Sequence, residues 1–147
     1  MVGDTISVVV PGEPIPKERP RFGRRGNVYT PKATEAYERG VGQCVMAALG
    51  RWKTVRRRNW PSDARFSVEI TFARQSEKAA DCDNIAKAIA DAAQGPAGLW
   101  LNDEQIDRLL VIRCPGPHEK AYATIEVTVI RDGEPVQNAA TRAKGKR

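Results

Sequence analysis

Thr5 to Val10 is a β-branched run (Thr-Ile-Ser-Val-Val-Val) that stops at Pro11-Gly12, which predicts a first strand buried on both faces. A cleaner alternation follows in Phe66-Ser67-Val68-Glu69-Ile70-Thr71-Phe72, predicting a strand over 65–73, and again over Ala121 to Ile130. Leu109-Leu110-Val111-Ile112 reads as another strand, and Val28-Tyr29-Thr30 as a short returning one. Helical spacing takes over from Thr34 to Trp52, where Tyr37, Val41, Val45, Ala48, Leu49 and Trp52 share a face and Thr34 serves as N-cap. It returns over 84–94 through Ile85, Ala88, Ile89, Ala92 and Ala93, with Asp83 as N-cap and Gln94-Gly95-Pro96-Ala97-Gly98 as the stop. These elements predict a single α+β domain: a mixed sheet of about four to five strands with two main helices.

The connections carry their own signals. Four prolines in Pro11-Gly12-Glu13-Pro14-Ile15-Pro16-Lys17-Glu18-Arg19-Pro20-Arg21-Phe22 forbid helix and favour extended backbone that displays its side chains, and Gly23 to Asn27 reads as a turn. The domain is expected to span 1–133, with 134–147 a basic, disordered tail. With 147 residues there is material for one core. No stretch approaches the roughly 18 apolar residues of a membrane span, and no signal-peptide layout opens the chain, so a cytoplasmic protein without membrane contact is expected. Cys44, Cys82 and Cys114 are scattered and His118 is the one histidine, which argues against a zinc set and a disulfide framework.

Charge changes the picture more than composition does. The formal net charge is +6, but it is concentrated in three places. Lys17, Arg19, Arg21, Arg24, Arg25 and Lys32 face one acid, Glu18; Arg51, Lys53, Arg56, Arg57 and Arg58 face none within 51–58; Arg142, Lys144, Lys146 and Arg147 end the chain. An acidic body with basic arms is the pattern of a phosphate-backbone binder, the alternative being a solubilising surface. Trp52 and Trp60 interleave the second basic run. They are either stacking platforms for bases or core anchors.

Asp81-Cys82-Asp83-Asn84 stands where a strand hands over to a helix, Lys87 lies one turn in, and Asp103 arrives from a separate segment, Leu99-Trp100-Leu101-Asn102-Asp103. Asp81, Asp83 and Asp103 together offer the several oxygen ligands that a hard divalent cation takes, and Mg²⁺ or Mn²⁺ fits best. The alternative is a helix cap with surface acids and an ordinary Asp83–Lys87 or Lys87–Asp91 pair. An EF-hand loop is excluded, because Ile85 and Ala86 occupy its fifth and sixth places.

Gly12 to Phe22 with Val28-Tyr29-Thr30-Pro31, Asp81-Cys82-Asp83-Asn84 with Lys87, and Gly98-Leu99-Trp100-Leu101-Asn102-Asp103 together resemble the RusA family of Holliday junction resolvases. These are dimeric, magnesium-dependent DNA endonucleases often encoded by phages and prophages. The resemblance implies metal binding by Asp81, Asp83 and Asp103, a catalytic role for all three and for Lys87, a four-way DNA junction as substrate, and a homodimer that cuts two strands. Mg²⁺ is the expected cofactor and Mn²⁺ a working substitute for it, with no small-molecule cofactor. Phosphate contacts are expected from Lys17, Arg19, Arg21, Arg24 and Arg25. Family members commonly carry a basic residue directly before the first Asp; here stand Ala79-Ala80, with Lys78 as the substitute. The basic segment 51–61 has no counterpart in that pattern. Two other functions stand beside this one: a non-catalytic nucleic-acid binding module, and a metal-dependent nuclease for other branched or flapped DNA.

Overall fold

The computed structural model describes residues 2–17, 21–22, 26, 28–29, 32–76, 81–95, 98–115 and 117–133. Among these residues six strands and two helices follow one another in the order β1 (Thr5–Pro11), β2 (Arg21–Phe22), β3 (Val28–Tyr29), α1 (Lys32–Arg56), β4 (Arg65–Ala73), α2 (Cys82–Ala93), β5 (Ile106–Arg113) and β6 (Tyr122–Arg131). A 3₁₀ turn, Asp103–Gln105, leads into β5. The main sheet runs β1-β6-β4-β5; β4 is antiparallel to β6 and parallel to β5, while β2 and β3 form a separate two-stranded ribbon. This is a single α+β domain with a four-stranded mixed sheet and two helices.

Alternation decides which face is covered. Ile6, Val8 and Val10 of β1, Phe66, Val68, Ile70 and Phe72 of β4, and Ala123, Ile125, Val127 and Val129 of β6 are all buried. They meet Val41, Val45, Ala48 and Trp52 of α1 and Ile85, Ile89 and Ala93 of α2 in one core. The opposite face carries Ser7, Glu126, Glu69 and Leu110 in one cross-strand row. β1 is therefore not buried on both faces as its composition predicts. It is an edge strand, and Val9 points away from the core, 61% exposed.

The helix starts also differ from their sequence signals. α1 begins two residues before Thr34, which ends up fully buried in its first turn instead of capping it. α2 is capped at Asp81, whose carbonyl accepts the first helical bond from the Ile85 amide at 3.2 Å, so Asp83 lies inside the first turn. The strand boundaries of β4, β5 and β6 follow the alternation to within a few residues.

Trp52 and Trp60 are core anchors. Their rings meet edge-to-face at 5.2 Å, Trp60 stacks on Phe66 at 5.8 Å, and Phe66 leans on Trp100 at 6.3 Å. The Trp52 indole donates to the Thr5 carbonyl and the Trp60 indole to the Leu99 carbonyl, at 3.1 and 2.9 Å. Each such pair adds about 0.5–1.5 kcal/mol beyond the buried area, and no ring face of this row is left for a base. His118 is half-buried, with Nε2 3.2 Å from the Cys114 carbonyl.

Candidate active site

The N-terminus of α2 presents two exposed carboxylates, Asp81 and Asp83. Asp81 holds the N-cap position in extended backbone (φ −68°, ψ 133°), yet its side chain makes no capping hydrogen bond. Asn84 Nδ2 reaches its Oδ2 at 3.4 Å. The carboxylate is thus not consumed by the helix, although the N-terminal end of the helix dipole favours its charge. Lys87 is exposed one turn further on. Among the described residues it forms no ion pair: Asp91, which helical spacing offers it, lies instead 3.5 Å from Lys17.

Two connections hold this helix start in place. Glu13 accepts from the Gln75 amide at 3.0 Å and the Ser76 amide at 3.3 Å, and pairs with Arg74 at 3.2 Å. Arg74 also donates to the Pro14 carbonyl. The segment after β1 and the segment that leads from β4 towards Asp81 are therefore stapled together by charge-assisted bonds. Further along, the Lys17 amide donates to the Asn84 carbonyl at 2.9 Å, and Lys17 Nζ pairs with Glu38 of α1 at 2.6 Å. The Glu38 hydrogen bond comes first among the influences that raise the Lys17 pKa above its ordinary value. Lys17, expected as a phosphate contact, is engaged within the chain.

Asp103 is built by different means. Asn102 caps the 3₁₀ turn by accepting from the Glu104 amide, and Gln105 Oε1 accepts from the Leu101 and Asn102 amides, each at 2.9 Å. Gln105 Nε2 in turn donates to the Ser62 and Ala64 carbonyls. Leu99 and Trp100 are fully buried just before it. Gly98 sits so close to the end of α2 that a Cβ there would collide with the Ala93 carbonyl. Asp103 stands exposed on a rigid corner.

Topology separates the acids. Phe66 of β4 pairs with Ile106 of β5, and Phe72 with Arg113, so Asp103 lies beside the start of β4, where Arg65 donates to the Glu104 carbonyl at 2.6 Å. Asp81 and Asp83 follow the other end of β4. α2 runs back between the two ends, and its last turn touches the Asp103 side, with the Leu99 amide donating to the Ala93 carbonyl. Its 12 residues span about 18 Å. The fold brings Asp81, Asp83 and Lys87 together and leaves Asp103 at the far end of the same chain; among the described residues no three acidic, histidine or cysteine side chains form a metal-binding group.

Of the other expected phosphate contacts, Arg19, Arg24, Arg25 and Lys78 lie outside the described residues, as does the side chain of Arg21; the tail 134–147 lies outside them too. Two positioning residues escaped the sequence reading. Glu13 belongs to no periodic pattern that would reveal it. Gln105 had a signal, since Asn102-Asp103-Glu104-Gln105 has the spacing of a capping box.

No described helix is long and apolar enough to cross a membrane. No curated protein matches the chain. The family model described as endodeoxyribonuclease RusA matches residues 11–130, a span that begins at the end of β1 and closes near the end of β6, with both acidic motifs inside it. The chain therefore belongs to the RusA endodeoxyribonuclease family, enzymes that hydrolyse DNA phosphodiester bonds at Holliday junctions.

Proposed function

We propose that this protein resolves four-way DNA junctions by Mg²⁺-dependent paired hydrolysis, as a homodimer whose metal sites each combine Asp81 and Asp83 of one copy with Asp103 of the other. The observation that carries the reading is the placement of these acids at opposite ends of the β4–α2–β5 unit. A two-fold related copy turns that separation into proximity. β5 is an edge strand on which Leu109, Leu110 and Ile112 are 49%, 49% and 38% exposed. An unpaired apolar edge is a template for another strand. Antiparallel pairing of β5 with the β5 of a second copy sets the Ile106 end of one beside the Arg113 end of the other. Asp103 then faces the second copy's α2 N-terminus, and a symmetric dimer presents two such sites, one per strand to be cut.

The donor set suits the ion. Asp81, whose carboxylate caps nothing, and the exposed Asp83 and Asp103 supply hard oxygen ligands. A divalent cation held there supplies Lewis-acid activation of the phosphate and of water. Lys87 stands on the same helix face as Asp83 and neutralises charge that develops on the phosphoryl oxygens. Glu13 and Gln105 keep the two halves of the site in fixed orientation. Lys78 adjoins Asp81 in sequence, and Arg19, Arg21, Arg24 and Arg25 follow Lys17, whose amide donates to the Asn84 carbonyl; these cations meet the phosphates of the arms. The open sheet face is unsuited to DNA, since Glu69 and Glu126 stand directly opposite each other on it.

Incubation with a synthetic four-way junction, a linear duplex and a flap substrate, with Mg²⁺ or EDTA, tests the reading. Symmetric nicks in the junction in Mg²⁺ alone support it. Cleavage of the flap in preference to the junction, or cleavage that persists in EDTA, contradicts it.

A further inference from the structure

We propose that the C-terminal end of α1 is a second nucleic-acid site, at which Arg51, Lys53, Arg56 and Arg57 hold the sugar–phosphate backbone of a DNA arm. The proposal rests on the family's DNA substrate and not on the metal set. All four side chains are exposed. Among the described residues none of the four forms a direct ion pair, although Arg56 is near enough to act on Asp4 through space, whereas Arg58 pairs with Asp4, and Arg65 and Arg131 with Asp107, at the same end of the molecule.

The cations stand on a rigid mount. Trp52, within the basic run, and Trp60, just after it, are buried and hydrogen-bonded to the Thr5 and Leu99 carbonyls. The Arg58 guanidinium lies 4.8 Å from the Trp52 ring centre and that of Arg56 5.9 Å. Ordering such a segment on a polyanion costs little, because most of the ordering is done by the core. Its location fits as well. Lys53 and Asn59 line an open hollow with Trp60, Ser62 and Gly98, and Gly98 leads directly to the corner that presents Asp103.

Arg57 separates this reading from a simpler one. Cations at a helix C-terminus complement its dipole, which accounts for charge anywhere in the last turn. It does not account for an arginine at φ 58°, directly after the last helical residue, where the left-handed conformation favours glycine. Glycine suits that φ at least as well, so replacing Arg57 by glycine removes the charge without cost to the fold.

Fluorescence anisotropy of the full chain with a labelled four-way junction, in EDTA and from 50 to 200 mM salt, tests the site. Arg57→Gly should match or exceed the wild-type melting temperature yet bind more weakly, with the log–log salt slope reduced by roughly 0.9, the loss of one phosphate contact on duplex arms. The triple variant Arg51→Gln, Lys53→Gln, Arg57→Gly should lose about two to three times that amount. Wild-type affinity and slope in the triple variant would overturn the proposal, and so would weakened binding with an unchanged slope. Loss of binding to phosphatidylserine vesicles with junction binding intact would overturn it in favour of an anionic membrane. The labelled junction is confirmed intact after each titration, so the salt slope reports binding alone and failure of the metal reading leaves these results readable.

Discussion

Lys17 Nζ donates to Glu38 Oε1 at 2.6 Å and lies 3.5 Å from Asp91 Oδ2, so a single ammonium ties the proline-rich segment to both helices. Replacing it by methionine should cost about 1 kcal/mol in urea unfolding near neutral pH, the scale of a partly screened ion pair. Its pKa is raised above 10.5 in the folded chain, first by Glu38 and then by Asp91 against partial desolvation. The contribution is therefore complete below pH 10.5 and disappears as pH climbs through the raised value. Unfolding of wild type and Lys17→Met followed from pH 7 into the alkaline range should show a constant gap up to about pH 10.5 that narrows only above it.

Glu13 supplies the next expectation. Its carboxylate accepts from two backbone amides and from Arg74, so Glu13→Ala leaves those donors without it. A loss of about 1–3 kcal/mol of stability follows from removing one partner of such bonds. Because the freed segment leads to Asp81, single-turnover junction cleavage should fall about tenfold or more, equivalent to about 1.4 kcal/mol of lost positioning. Junction affinity in EDTA should change by less. Cleavage at the wild-type rate would show that the staple does not position the acids.

Acid should destabilise the fold through two named carboxylates. Arg58 holds the Asp4 pKa below its ordinary 3.8, and Arg65 and then Arg131 hold that of Asp107 well below it. A depressed value means that the stabilisation is present above about pH 4 and is lost as pH falls through the lower folded values. Asp107 also sits between two arginines that oppose each other in the β4–β6 register. Asp107→Asn should therefore lower the denaturation midpoint at pH 7 and flatten its decline below pH 4.

Much of this was legible in the chain, for physical reasons that also mark where legibility ended. β4 and β6 alternate because one face of each is buried, and α2 shows its apolar stripe through Ile85, Ile89 and Ala93. β1 misled because Val9 is apolar but exposed, and an edge strand composed of valines reads like a central one. Thr34 and Asp83 have the chemistry of N-caps, but the helices start earlier. Trp52 and Trp60 lay among arginines, and sequence spacing alone leaves a stacking platform and a core anchor open; burial resolves it in favour of the core. The two Asp motifs stood out from their residue types. Their distribution over opposite ends of one sheet did not, because it depends on β5 running parallel to β4.

Within the Asp81 half, two substitutions should behave differently. Asp83 is inside the first turn of α2 and its side chain is exposed, so Asp83→Asn should alter stability by no more than about 0.5 kcal/mol. Cleavage in Mg²⁺ should drop by orders of magnitude, while junction affinity holds or tightens because a negative charge has left the phosphate side. Lys87→Ala should abolish cleavage as well, but with equal or weaker binding, since a cation has gone. Wild-type rates in either variant would remove that residue from the site.

Mixing two inactive proteins tests the shared site most directly. Asp83→Asn and Asp103→Asn are each prepared alone, then combined under conditions that let subunits exchange, and junction nicking is followed in Mg²⁺. In a mixed dimer, one site receives both substitutions and the other receives neither, because Asp83 of the second protein meets Asp103 of the first. Nicking should reappear in the mixture, at up to half the sites of each mixed dimer, and neither protein alone should show it. If all three acids acted within one chain, every site would carry one substitution. A mixture as inactive as its components, with subunit exchange verified, would contradict the two-copy site.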